Sequence, residues 1–120
     1  MGLTYVKGVA QNAAGKRVAV KFLVDSGASY TLLPYRVWRS LGLKGMESIR
    51  SGLPDGTEVE RGLSECLLEL DNRRRHTPVI LGEKDDTALL GAITLEEFGL
   101  VLNPFTRELQ PMRTMLARTN

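Results

Sequence analysis

The sequence predicts an all-β domain with a small, closed, barrel-like fold and one or two short helices. Many short segments are β-branched or alternate between apolar and polar residues, and turn residues separate them about every 8–12 residues. The length of 120 residues suits a single domain. Hydrophobic residues make up 42% of the chain and charged residues 25%, an ordinary globular balance that excludes a mainly disordered protein.

Alternating patterns predict the first strands. Leu3–Val9 alternates moderately, and the Asn12–Lys16 segment after it is typical of a hairpin turn. Arg17–Val24 is strongly strand-like, because its valine and phenylalanine side chains share one face and its basic side chains the other. Small residues at 25–29 predict a loop, and Tyr30–Leu33 can resume a short strand.

A helix is predicted directly after this region. Pro34 suits the first position of a helix, and Tyr35–Leu41 is long enough for two turns. Val37 and Leu41 are spaced i, i+4, so they fall on one apolar side. Gly42 stands where a helix often takes its C-terminal cap. We therefore expect a short helix that packs one face on the barrel.

Two extended segments, Met46–Leu53 and Thr57–Leu70, predict a long hairpin. The Leu53–Gly56 stretch between them contains Pro-Asp-Gly, which is a strong turn signal. Asn72–Arg75 is typical of a second, charged turn, and we interpret its basic run as a solvated surface. Thr77–Leu81 predicts another short strand, with its proline near the start as at an edge or a strand beginning.

The last third of the chain predicts short elements and a tail. Ala88–Gly91 is apolar and ends in glycine. Thr94 has the position of an N-cap, and Glu97 lies at capping-box spacing from it, which predicts a brief helix over Leu95–Phe98. Strands are then predicted at Leu100–Leu102 and Glu108–Met112, around a turn at 103–106. We expect residues 1–112 to form the domain and residues 113–120 to be a polar tail.

Composition excludes several classes of function. The 16 Lys and Arg residues nearly balance the 14 Asp and Glu residues, and a net charge of +2 argues against a nucleic-acid binder. The single cysteine, Cys66, excludes an internal disulfide, and with His76 as the single histidine it makes a zinc site unexpected. No apolar run approaches the roughly 20 residues that span a bilayer, and the N-terminus lacks a signal-peptide pattern. We expect a cytoplasmic protein with no metal, cofactor, nucleic-acid partner or membrane contact.

The candidate chemistry lies in Val24–Ser29. Its carboxylate, Asp25, directly follows an apolar strand, where aspartate is disfavoured unless something requires it. Gly27 lets a backbone or a ligand come close, and the Ser26 hydroxyl can orient a neighbouring backbone group. An ordinary turn, in which the aspartate caps local N–H groups, explains the same residues equally well. The motif alone therefore leaves both interpretations open.

Two further features follow this motif in order. The Pro54-Asp55-Gly56 turn marks a hairpin tip, and Leu89-Leu90-Gly91 precedes a short helix. Each feature is weak alone. Together with Thr31–Pro34 and Val101–Pro104, their order and spacing resemble the retropepsin-like aspartic proteases, the single-domain, retroviral-type branch of the pepsin clan, and most closely its bacterial or cellular members. The resemblance spans Val18 to Pro111.

The resemblance implies an aspartic endopeptidase that acts as a homodimer. Members of this family carry one catalytic aspartate per chain, and Asp25 has that position. A two-fold axis supplies the second carboxyl group, so that one ionised group activates water while the other, protonated, donates to the peptide carbonyl oxygen. The implied substrate is an extended peptide or protein, bound by strand addition.

The resemblance also assigns roles to other residues. Ser26 has the place of a hydroxyl residue that crosses to the partner's loop, and Gly27 that of a residue whose carbonyl accepts from the bound peptide. Ala28 and Ser29 line the cleft. The substrate-binding flap tip comprises Leu53, Pro54, Asp55 and Gly56. The support beneath the active-site loop comprises Leu89, Leu90 and Gly91. Further candidates for the cleft wall are Tyr30, Leu32 and Ile80.

The sequence departs from the family pattern at two places. Many retroviral members pair an aspartate at the position of Ser29 with an arginine at that of Ala92, and losing both avoids an unpaired buried charge. The Pro54-Asp55 tip is stiffer and more polar than a glycine-rich flap.

Two alternatives to an active endopeptidase remain open. One is a catalytically weak retropepsin-like dimerisation or peptide-binding module, and the other is a plain β-barrel interaction domain with a chance motif. In the dimer, the terminal strands Leu3–Val9 and Glu108–Met112 would dominate the interface if they pair across the axis.

Overall fold

The computed structural model describes residues 2–112, and their fold is all-β, as predicted. The predicted tail at 113–120 lies outside the described residues. Two short helices interrupt the strands, and no helix of residues 2–112 is long and apolar enough to cross a membrane. In chain order, the elements are β1 (Tyr5–Gln11), β2 (Arg17–Val24), β3 (Thr31–Leu33), α1 (Tyr35–Leu41), β4 (Glu47–Gly52), β5 (Glu58–Leu70), β6 (Arg73–Leu81), β7 (Leu89–Leu90), α2 (Ala92–Glu97), β8 (Leu100–Leu102) and β9 (Leu109–Pro111).

Seven of the strands form one sheet that closes on itself. Their order is β1-β2-β7-β3-β6-β5-β4, and an additional pairing of β1 with β5 completes the ring. Strand β1 pairs with β2 along its whole length and with β5 at its final three residues. Strand β4 attaches to β5 outside the ring, and β8 and β9 form a separate two-stranded sheet. The predicted closed, barrel-like fold is therefore confirmed, and closure leaves few strand edges unpaired.

The core fills this ring from alternating strand positions. In β2, Val20, Phe22 and Val24 are buried, as their period of two predicts. Helix α1 covers one side of the core with Val37 and Leu41. The largest fully buried side chains are Phe22, Phe98, Leu33, Leu68, Leu70 and Leu90.

Two local details of the β5–β6 hairpin differ from the prediction. The turn lies at Asp71 and Asn72, with φ values of 47° and 68°, so Arg73 already begins β6. Aspartate and asparagine tolerate this left-handed conformation, which a two-residue hairpin turn requires. Pro78 lies inside β6 rather than near its start. It directly precedes Val79, where pairing with β3 begins, so its missing N–H removes no hydrogen bond to β3.

The predicted N-cap of the second helix is wrong. Helix α2 starts at Ala92, and Gly91 is its N-cap, so Thr94 lies within the helix. The Thr94 side chain is fully buried, and its hydroxyl oxygen lies 2.6 Å from that of Thr31 and 2.7 Å from that of Thr77. Buried hydroxyl groups need hydrogen-bond partners, and these three threonines satisfy one another. Thr94, which the capping-box spacing to Glu97 predicts to be a helix cap, is therefore the centre of a buried hydrogen-bond network.

Candidate active site

Asp25 begins a tight loop at the end of β2. Its backbone N–H donates to the Leu90 carbonyl oxygen at 3.0 Å, and its own carbonyl oxygen accepts from the Ala28 N–H at 3.1 Å. The side-chain Oδ1 accepts from the Gly27 N–H at 3.0 Å. Within residues 2–112, Oδ2 has no hydrogen-bond partner, and the half-buried side chain lies at the wall of a cleft. The capping role that an ordinary turn predicts is present, but it uses one carboxylate oxygen and leaves the other open to water or to a second carboxyl group.

The segment Leu89–Gly91 supports this loop from below. Strand β7 lies between β2 and β3, so it enters the sheet directly under the loop that joins them. Beyond it, the Ala92 N–H donates to the Ala28 carbonyl oxygen at 2.8 Å, and the Ile93 N–H donates to that of Ser29 at 3.0 Å. Backbone hydrogen bonds therefore fix the loop at several points along its length.

Gly91 permits the close approach of this support to the loop. A Cβ atom here would lie 2.5 Å from the carbonyl carbon and oxygen of Tyr30, and 2.9 Å from the nitrogen of Thr31. Its φ of −93° is open to any residue, so the lack of space, rather than the backbone conformation, requires glycine. The Gly91 N–H also donates to Thr31 Oγ1 at 3.1 Å, which connects it to the buried threonine network.

The β4–β5 hairpin ends in the predicted Pro-Asp-Gly turn. The Leu53 N–H donates to the Thr57 carbonyl oxygen at 2.7 Å, and Gly56 takes the left-handed conformation with φ 89°. The Asp55 carboxylate accepts from the Thr57 hydroxyl at 2.6 Å and from its N–H at 2.9 Å. These hydrogen bonds favour the ionised carboxylate and hold the pKa of Asp55 below its usual value. The tip is thus a turn stiffened by its own side chain.

A cleft of about 670 Å³ separates the Asp25 loop from the inner face of this hairpin. The predicted site residues that line it together are Asp25, Gly27, Ala28, Ser29, Leu53, Pro54 and Leu89. The further wall candidates Tyr30, Leu32 and Ile80 line it as well. Five predicted residues lie outside the lining, namely Ser26, Asp55, Gly56, Leu90 and Gly91. Leu90 and Gly91 are buried beneath the loop.

Other residues of the cleft wall were missed by the sequence analysis. In the β4–β5 register, Ile49 lies opposite Arg61 and Ser51 lies opposite Val59, and all four line the cleft. Because side chains alternate along a strand, extending the face of Leu53 down both strands would have identified them. Asp86 also lines the cleft, but it lies between β6 and β7, where no periodicity could have indicated it.

The hydroxyl group of Ser26, unlike the carboxylate of Asp25 next to it, has no hydrogen-bond partner within residues 2–112. The Ser26 side chain is exposed. Ser29 is also exposed, and its carbonyl oxygen is held by Ile93 rather than by an ion pair. Among all the residues that the structure describes, 2–112, no group of three or more His, Cys, Asp or Glu side chains is placed to hold a metal ion.

Comparison with known proteins assigns the family. The Aspartyl protease family matches residues 9–93, which is more than half of the chain and includes both Asp25 and Leu89–Gly91. The chain belongs to the aspartyl protease family. The fold of this aspartyl protease family member is similar to that of the EIAV protease complexed with the inhibitor HBY-793, with a TM-score of 0.62 and 17% identity. That likeness covers 82% of this chain and 89% of the viral one, and it confirms the retropepsin fold. Among curated proteins, none matches the sequence.

Proposed function

We propose that this aspartyl protease family member is an endopeptidase, active as a homodimer that pairs Asp25 of each copy. The observation that carries the proposal is the placement of Asp25, which lines a cleft with one carboxylate oxygen held by Gly27 and the other without a partner. The hydrogen bond at Oδ1 orients the carboxylate, and the open Oδ2 is the atom available for chemistry.

A single such carboxyl group cannot complete the reaction. One group must be ionised to activate water while a second, protonated group donates to the carbonyl oxygen of the scissile peptide. Asp86 lines the same cleft, but it lies in the loop between β6 and β7, and within residues 2–112 no hydrogen bond joins it to Asp25. A second copy related by a two-fold axis supplies the missing group. The two carboxyl groups then titrate as one unit.

The surroundings of Asp25 support a dimer and an extended substrate. The exposed Ser26 hydroxyl beside it is available to a partner's loop. The cleft runs between this loop and the inner face of a β-hairpin, so an extended peptide can lie between them as an added strand. The aliphatic wall side chains Leu32, Ile49, Val59 and Ile80 provide apolar contacts for such a peptide.

Cleavage of a diverse peptide library, across pH ~4 to 7.5, tests this proposal. The wild type should cut, and Asp25→Asn should not, because the amide cannot act as the base. Asp85→Asn, which removes an exposed carboxylate outside the cleft, is the matched control and should cut like the wild type. Cleavage by Asp25→Asn at the wild-type rate would contradict the proposal. Silence from a folded wild-type dimer would instead support the peptide-binding module, which the binding of labelled peptides would then test.

A further inference from the structure

The inner face of the β4–β5 hairpin carries one largely covered cation. Arg61 lies opposite Ile49 in the register, next to the Ser51–Val59 pair, and these neighbours are apolar or small. The Arg61 side chain lines the cleft with only 21% of its surface exposed. Arg50 touches the same cleft, but its side chain is 74% exposed and pairs with Glu58 at 3.4 Å. Arg61 is therefore the basic group that a bound peptide would meet out of bulk water.

The charge of Arg61 is only weakly compensated. Its Nη1 donates to the Glu60 carbonyl oxygen at 3.0 Å and lies 3.8 Å from Glu83 Oε1, which is beyond hydrogen-bond distance. The Glu83 side chain is 65% exposed, and such exposed ion pairs contribute little. Asp86 lines the cleft too, but within residues 2–112 it forms no ion pair with Arg61. Within residues 2–112, the other guanidinium N–H groups of Arg61 have no partner.

We propose that Arg61 is a specificity-determining residue that selects a carboxylate on the substrate. A guanidinium presents its N–H groups as a planar fork that binds both oxygens of a carboxylate, and partial burial strengthens this interaction. The carboxylate is that of an aspartate or glutamate side chain near the scissile bond, or that of a free peptide C-terminus. The inference rests on the proposed function, because it assigns a subsite in the same cleft.

Matched peptides that carry Glu, Gln or Lys at each position in turn, with free or amidated C-termini, test this assignment by cleavage. At one position, the wild type should cleave the Glu peptide with about tenfold higher kcat/KM than the Gln peptide. Arg61→Gln should lose that preference while still cleaving the Gln peptide, and Arg61→Glu should prefer Lys. Arg74→Gln is the matched control, because Arg74 is an exposed arginine on β6 away from the cleft. A preference for the free C-terminus alone would identify the terminal carboxylate as the group that Arg61 binds.

Binding measurements separate failure of this assignment from failure of the proposed function. In the Asp25→Asn background, fluorescence anisotropy should show tighter binding of the Glu peptide than of the Gln peptide, and Arg61→Gln should remove the difference. This result would support the subsite even if the wild type cleaves nothing. Equal or undetectable binding of the two peptides, or a preference for Glu that persists in Arg61→Gln, would overturn the assignment.

Discussion

Replacing Thr94 by valine should destabilise the fold and loosen the support of the Asp25 loop. Valine keeps the branched shape of threonine and has a similar helix propensity, so the change removes little besides the hydroxyl group. That hydroxyl hydrogen-bonds to Thr31 at 2.6 Å and to Thr77 at 2.7 Å, and all three side chains are buried.

The magnitude follows from the partners that would be lost. The Thr77 hydroxyl has no other hydrogen-bond partner within residues 2–112, and the Thr31 hydroxyl would keep only the N–H of Gly91. Loss of the bond to Thr31, which keeps another partner, costs about 1 kcal/mol, and leaving the buried Thr77 hydroxyl unpaired costs about 1–3 kcal/mol. We therefore expect Thr94→Val to lower the free energy of unfolding by about 2–4 kcal/mol.

Urea denaturation, followed by circular dichroism, measures this loss. Thr94→Ser, which keeps the hydroxyl group, is the control and should lose less stability than Thr94→Val. Because Thr77 loses its partner in the valine variant, adding Thr77→Val should cost less than it does in the wild type. A Thr94→Val protein within about 0.5 kcal/mol of the wild type would refute the reasoning, since that is the range of ordinary surface substitutions.

Three further predictions concern single positions. Gly91→Ala should destabilise the protein by roughly 1–3 kcal/mol, because the added Cβ would lie 2.5 Å from the backbone of Tyr30. Gly45→Ala is the control and should be tolerated, because its Cβ would meet nothing closer than 3.5 Å. Thermal unfolding of the two variants measures the difference. Burial raises the pKa of the Cys66 thiol to about 12, so a thiol reagent at neutral pH should modify it only after unfolding, and rapid reaction of the native protein would contradict this. The depressed pKa of Asp55 means that its hydrogen bonds to Thr57 persist above pH 3.8 and are lost as pH falls through the folded-state pKa. The Thr57 amide NMR signal should therefore titrate below pH 3.8 in the wild type, and an identical titration in Asp55→Asn would show another cause.

Much of the fold could be predicted because the relevant patterns are local. The alternation of Arg17–Val24 correctly placed a buried face on β2, and the Pro-Asp-Gly turn correctly placed the tip of the β4–β5 hairpin. Gly42 caps α1 in the left-handed conformation with φ 69°, as its position directly after the predicted helix indicated. These features depend on a few neighbouring residues, so periodicity and turn chemistry suffice to identify them.

The remaining features depend on tertiary contacts that local patterns do not encode. Thr94 has the spacing of a helix cap, but its partners Thr31 and Thr77 are distant in sequence, and burial decides its role. Alternation could assign Arg61 to the inner face of the hairpin, but its partial burial opposite Ile49 follows only from the tertiary structure. Asp86 reaches the cleft from a loop, where no rule of spacing applies. The candidate site and much of its wall could therefore be predicted from motif and alternation, while the contacts of Thr94 and the presence of Asp86 in the cleft could not.

Mixing wild-type and Asp25→Asn chains tests the central claim, a dyad shared between two copies, most directly. The two proteins are refolded together at constant total concentration, and peptide cleavage is measured as the wild-type fraction varies. If each active site needs Asp25 from both copies, activity follows the square of the wild-type fraction, and an equal mixture retains about a quarter of the full rate. Activity proportional to the wild-type fraction, about half in the equal mixture, would show that each chain acts alone and would contradict the account.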